Sequence, residues 1–127
     1  MTAIKVNEDQ FKELERNPND QPFTMLNLLK FKPDTGLQSY LQYAKLSQKH
    51  IEKIGAEVVY LGKTTELLNG EETWDMILLV KYPSRKAFLK MAKDPEYIKV
   101  HELREEALER AVLYSTDPVQ FRDMKEI

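Results

Sequence analysis

Residues 22–31, PFTMLNLLKF, decide how the rest of the chain is read. The run is apolar and shorter than a typical helix. Turn residues close it at both ends, Asn17-Pro18-Asn19-Asp20 before and Pro33-Asp34-Thr35-Gly36 after, which predicts a buried central strand. Side chains alternate along a strand, so Phe23, Met25, Asn27, Leu29 and Phe31 point one way and Thr24, Leu26, Leu28 and Lys30 the other. A second run, TWDMILLVKYP over residues 73–83, repeats the pattern: Trp74, Met76, Leu78, Val80 and Tyr82 oppose Asp75, Ile77 and Leu79. Both faces of both runs are apolar.

Working outward, Tyr40, Tyr43, Ala44, Ser47, Ile51 and Ile54 recur at three and four residues, predicting an amphipathic helix stopped by Gly55 as its left-handed C′ residue. AEVVYLGKTTELL, residues 56–68, reads as a strand joined to the 73–83 strand by a hairpin turn at Asn69-Gly70-Glu71-Glu72. Pro83 and Ser84 open a helix carrying Ala87, Phe88, Met91 and Ala92, and Asp94-Pro95 restarts it as a second helix from Glu96 to Arg110. AVLYS, residues 111–115, is a last strand. At the front, Asn7 with Gln10 three residues on reads as a capping box for a short helix carrying Phe11 and Leu14.

Without that leading helix the order is β-α-β-β-α-β, the split unit of an α+β fold: a four-stranded antiparallel sheet with helices on one face. The 127 residues make one domain, with a helical arm over 1–21 and a tail over 117–127. Helices cover one face, while the strands are apolar on both. A homodimer or higher homo-oligomer with sheets facing each other is therefore expected.

Composition removes whole classes of function. The net charge is −2 and the densest basic cluster is Lys30-Phe31-Lys32, which speaks against nucleic acid. No window approaches 18 uninterrupted apolar residues. Eight charged side chains in the first twenty residues leave no secretory h-region, so a cytoplasmic protein with no membrane partner is expected. There is no Cys, and His50 and His101 fall in different helices; the nearest metal-like spacing is His101 with Glu105, so no metal and no cofactor are expected. Gly36, Gly55, Gly62 and Gly70 are isolated and form no phosphate loop.

The helix after Pro95 is the most informative segment for chemistry. Tyr97, His101, Arg104 and Leu108 fall on one stripe, opposite the charged Lys99, Glu102, Glu106 and Glu109. A His and an Arg on a core-facing stripe need polar partners. They are either satisfied structural residues or the polar end of a small-molecule cavity, His101 moving protons and Arg104 holding an anion. Asn27 and Asp75 break apolar strand patterns. Asn27 is a hydrogen-bond donor toward a ligand or a neighbouring strand. Asp75 is a partner for Arg104 or Arg85, or the carboxylate that orients His101. Tyr60, Trp74 and Tyr97 are either core or the rings against which a substrate packs.

Together, PFTMLNLLKFK, SYLQY, the Gly55 to Gly62 strand, WDMILLVKYPSRKAFLKM, DPEY and the later Arg104-x-x-Ala107-Leu108 resemble the bacterial domain of unknown function 1330 family, over about Pro22 to Thr116. The resemblance implies a ferredoxin-like, dimeric α/β-barrel fold. It carries over no catalytic residue, because the family has no established reaction. The wider superfamily includes cofactor-independent monooxygenases, muconolactone-type isomerases and heme-binding proteins, which use a cavity between sheet and helices.

Overall fold

The structure is a computed structural model and describes residues 4–126. Residues 1–3 and 127, the ends of the expected arm and tail, lie outside the described residues. The elements are helix α1 (Glu8–Arg16), strand β1 (Phe23–Phe31), helix α2 (Gly36–Lys53), strands β2 (Glu57–Lys63) and β3 (Met76–Tyr82), helices α3 (Arg85–Lys93) and α4 (Pro95–Ala107), strand β4 (Leu108–Thr116) and a 3-10 segment Phe121–Glu126.

The strands form one antiparallel sheet in the order β2-β3-β1-β4, with β1 inside as its apolar sequence requires. This is the ferredoxin-like arrangement. Its inner face pairs Met25 with Val80, Asn27 with Leu78 and Leu29 with Met76. Phe23, Leu29 and Val80 are buried there against Tyr40 and Tyr43 of α2, Phe88 and Met91 of α3 and Tyr97 of α4. Each large apolar side chain removed from water contributes about 1.5–3 kcal/mol. The other face carries Leu26, Leu28, Ile77, Leu79 and Val112, half-buried by their neighbours, beside the exposed Tyr60 and Tyr114. No helix of the described residues lies long and apolar enough to cross a membrane.

Several boundaries differ from the sequence expectation. Asn7 occupies the N-cap of α1, but its side chain makes no cap hydrogen bond, so the capping box does not form. The buried stripe of α2 is Gly36, Tyr40, Tyr43, Ser47 and His50, which leaves Ala44 exposed and brings His50 inside. Gly55 has φ +77° as expected at C′. Gly36 is required by a close approach: a Cβ there would lie 2.6 Å from the Ala107 carbonyl oxygen, where α2 starts against the end of α4.

Strand β2 stops at Lys63 rather than Leu68, and β3 starts at Met76 rather than Thr73. The Thr64 hydroxyl donates to the Trp74 carbonyl and the Thr64 amide to that of Asp75, so these bonds close the ladder and turn residues 64–75 into a long connection in place of a tight hairpin. Helix α4 ends at Ala107 rather than Arg110. Leu108 enters β4 at once, pairs with Phe31 across a register shift and is fully buried.

Candidate functional site

Helix α4 begins sharply because Asp94 caps it, its carboxylate accepting from the Glu96 amide at 2.9 Å, and Pro95 takes the first turn where no amide hydrogen is needed. That start sets the helix rotation. Tyr97 and Arg104 then face the sheet and α2, with His101 half-buried between them.

Arg104 is only 7% exposed and Asn27, below it on β1, 6%. Arg104 Nη2 donates to Asn27 Oδ1 at 3.3 Å, and Asn27 Nδ2 donates to the Leu78 carbonyl of β3 at 3.4 Å. The amide thus faces its oxygen to the guanidinium because the sheet takes its hydrogens. Among the described residues Arg104 forms no ion pair, although a guanidinium has five donors and a fixed positive charge.

Tyrosines from three elements surround it. The Tyr43 and Tyr97 hydroxyls share a hydrogen bond at 2.7 Å. The Tyr40 ring lies 5.4 Å from that of Tyr43, and His101 meets Tyr97 at 5.8 Å and Tyr43 edge-on at 6.5 Å. Burial pushes the hydroxyls of Tyr40, Tyr82 and Tyr97 well above the ordinary tyrosine range, against the pull of Arg104. They are neutral at pH 7 and offer the guanidinium no counter-charge. Burial first, and then the Arg104 charge, hold His101 below the usual histidine value. Glu105, whose Oε1 lies 3.2 Å from His101 Nδ1, pushes the other way.

The structure therefore brings together Asn27, Tyr97, His101 and Arg104 and leaves three other sequence candidates outside. Asp75 does not meet His101, Arg104 or Arg85: its carboxylate accepts from the Phe31 amide at 2.9 Å and Lys30 Nζ at 3.4 Å, because it shares the outward face with Lys30. Trp74 lies outside β3, under the Arg110 guanidinium at 4.5 Å. Tyr60 is paired with Leu79 on the open face of the sheet, with its ring against Gly62. The strand pleat puts both Asp75 and Tyr60 on the side away from Arg104.

Sequence reasoning did not pick Tyr40, Tyr43 and Glu105 as site residues. The signal was present in the spacing, since Tyr40 and Tyr43 occupy the α2 stripe that must face α4, and Glu105 follows His101 by one helical turn. Two cavities lie elsewhere among the described residues. One of about 20 Å³ adjoins His50, Lys53 and Asp94. An open cleft of about 480 Å³ lies along Leu14, Arg16, Pro18 and Arg85. Neither borders Arg104, where the tyrosine rings pack. Among the described residues no three His, Asp or Glu side chains converge in a way that could hold a metal ion.

A family model described as a domain of unknown function (DUF1330) matches residues 34–115. The chain is similar to the RPA0582 protein of Rhodopseudomonas palustris, itself of unknown function: 30% identity, 94% of this chain and 99% of that one, TM-score 0.86. A dimeric protein of unknown function with a ferredoxin-like fold from Bacteroides fragilis shares the architecture at 17% identity, over 79% of this chain and 100% of that one, with TM-score 0.55. So does the At3g17210 protein of Arabidopsis thaliana, at 14% identity, 77% and 96% coverage and TM-score 0.63. No curated protein matches the chain.

Proposed function

This chain belongs to the DUF1330 family, and from that premise we propose that it binds a small organic anion, such as a carboxylate, against Arg104 between the sheet and helices α2 and α4. The observation that carries the reading is the buried guanidinium, which among the described residues has no carboxylate within ion-pair distance. A lone buried charge costs several kcal/mol, and a bound anion removes that cost. A carboxylate fits the planar donor fork of Arg104, the Tyr43 and Tyr97 hydroxyls supply further hydrogen bonds, and the surrounding rings favour an aromatic or otherwise apolar body. The ligand takes space that the tyrosine rings now fill, so binding includes their rotation.

Turnover of that anion, as in a cofactor-independent oxygenase or an isomerase, additionally requires a group that moves a proton. His101 is that group, neutral near pH 7 and next to Arg104. A non-catalytic assembly role is favoured by a different observation, the apolar open face of the sheet, which we read as the surface that pairs two copies; the dimeric Bacteroides fragilis protein of the same fold supports it. The two roles are compatible, because they use opposite faces.

The test is thermal stability against carboxylates from acetate to benzoate, each compared with its neutral amide. Stabilisation of about 2.7 kcal/mol is expected at a hundred times the dissociation constant. It should be seen with the acids, not the amides, and be lost in Arg104→Met. Equal stabilisation by benzamide and benzoate, or a full response in Arg104→Met, overturns the anion reading.

A further inference from the structure

One of the two sequence readings of Asp75 makes it the carboxylate that orients His101, and the structure puts Asp75 on the other side of the sheet. The carboxylate beside the imidazole is instead Glu105, one turn further along α4, with Oε1 3.2 Å from His101 Nδ1. We propose that Glu105 is the positioning residue of this site: it fixes His101 in the tautomer that leaves Nε2 free to accept a proton from a C–H group of the bound organic anion.

A carboxylate has no hydrogen to offer, so an oxygen 3.2 Å from Nδ1 is attracted when that nitrogen carries the hydrogen and repelled when it carries the lone pair. A neutral imidazole has one N–H, and Nε2 is then a lone pair. The groups facing the ring are Tyr97, Arg104 and Glu105 of α4 and Tyr43 of α2. The two tyrosines are partners in their own hydrogen bond, Arg104 disfavours an imidazolium and Glu105 favours one, so of these groups it is Glu105 that both orients the ring and offsets the neighbouring cation. Glu105 is half-buried and keeps one side in water beside a half-buried histidine. It is an orienting carboxylate built from i,i+4 helix spacing, with no contact to the ligand required.

In the resulting step a C–H hydrogen of the bound carboxylate moves to His101 Nε2, the electron pair of that bond stays on the ligand carbon, and Arg104 keeps hold of the carboxylate group. The charge on Glu105 then faces the imidazolium. This role rests on the anion-binding reading for its purpose, but the tautomer can be observed without any ligand.

The experiment is side-chain ¹⁵N NMR of the full chain at neutral pH, with the two histidines told apart by His101→Gln. Wild type should show His101 as the neutral Nδ1–H tautomer. Glu105→Gln, whose amide oxygen still accepts the hydrogen bond, should keep that tautomer while the His101 titration moves to lower pH. Glu105→Ala should give a mixture of both tautomers. An Nε2–H tautomer in wild type, or an unchanged His101 pattern in Glu105→Ala, overturns the proposal. Benzoate is then titrated into the same samples: tautomer control by Glu105 with no response to benzoate keeps the positioning role and removes the anion reading, whereas a benzoate response with no Glu105 dependence does the reverse.

Discussion

Arg104 Nη2 lies 3.3 Å from Asn27 Oδ1, and among the described residues that amide oxygen is the one acceptor the buried guanidinium has. A charge held this way destabilises the empty protein. Replacing Arg104 by Met removes the charge and keeps much of the volume, while leaving Asn27 Oδ1 short of a donor at a cost of about 1 kcal/mol. Unfolding of Arg104→Met in urea at pH 7 should show a stability unchanged or raised by up to about 2 kcal/mol. A loss of more than about 3 kcal/mol would mean that the guanidinium has a counter-charge in the folded chain.

The tyrosine cluster predicts behaviour at high pH. Tyr40, Tyr82 and Tyr97 are held neutral in the folded chain, chiefly by burial, and ionise near pH 10 once unfolded. A folded pKa above the unfolded one gives stability that is present below pH 10 and lost as pH rises beyond it, because the unfolded state then binds fewer protons. The slope is about 1.4 kcal/mol per pH unit for each such tyrosine. Absorbance of tyrosinate should show these three of the six tyrosines ionising together with loss of structure. Smooth ionisation of all six with the fold intact would contradict the burial described for Tyr40, Tyr82 and Tyr97.

Arg85 is a second buried guanidinium, and unlike Arg104 it is paired. It grips the Asp117 carboxylate with Nη1 and Nη2 at 3.2 and 3.1 Å, donates to the Asn19 carbonyl at 3.3 Å and lies 5.0 Å over the Phe23 ring. One side chain thus joins the segment before β1, the start of α3 and the segment after β4. Arg85→Ala should cost about 3 kcal/mol, since it also strips packing from Phe23. Asp117→Asn, at a partly exposed position, should cost about 1 kcal/mol. Hydrogen exchange should rise in both variants at residues 17–21 and 117–120 before it rises in β1. Protection unchanged in both segments would show that the clasp does not hold them.

The contrast between these two arginines shows what the sequence could and could not say. The alternation of Phe23 to Phe31 is legible because a central strand with one face on the core must obey its period. The stripe of Tyr97, His101 and Arg104 is legible for the same reason. The shorter of the two contacts of Asp75 is not, because it is to the main-chain amide of Phe31 and main-chain donors leave no mark on a side-chain pattern. Leu108 to Arg110 read as helix by local preference, yet Leu108 pairs with Phe31 and is fully buried, a tertiary contact that overrides propensity. Residues 64–68 read as strand, but β3 starts at Met76, so the ladder ends at Lys63 and Thr64 closes it with bonds to the Trp74 and Asp75 carbonyls. The burial of His50 was not legible because Ala44 and Ile51 fit a neighbouring stripe nearly as well, and only the packing of α2 on α4 selects between the two.

The open face of the sheet gives the last prediction. On β1 Leu28 pairs with Ile77 on one side and Val112 on the other, and the three point away from the helices. Leu26 and Leu79 continue the patch, with Tyr60 at 55% and Tyr114 at 66% exposure on its flanks. A face of this kind is stable in water when a second sheet covers it, and a stable pair of copies buries about 1,200–2,000 Å². The chain should therefore sediment at twice its mass of 14.9 kDa at micromolar concentration. Leu28→Glu places a charge in the middle of that face without touching the core on the other side of β1. It should yield a folded species of 14.9 kDa that still responds to carboxylates at Arg104. A wild-type chain that sediments as a monomer removes the dimer, and a Leu28→Glu monomer that no longer binds carboxylates would show that the anion site needs the second copy.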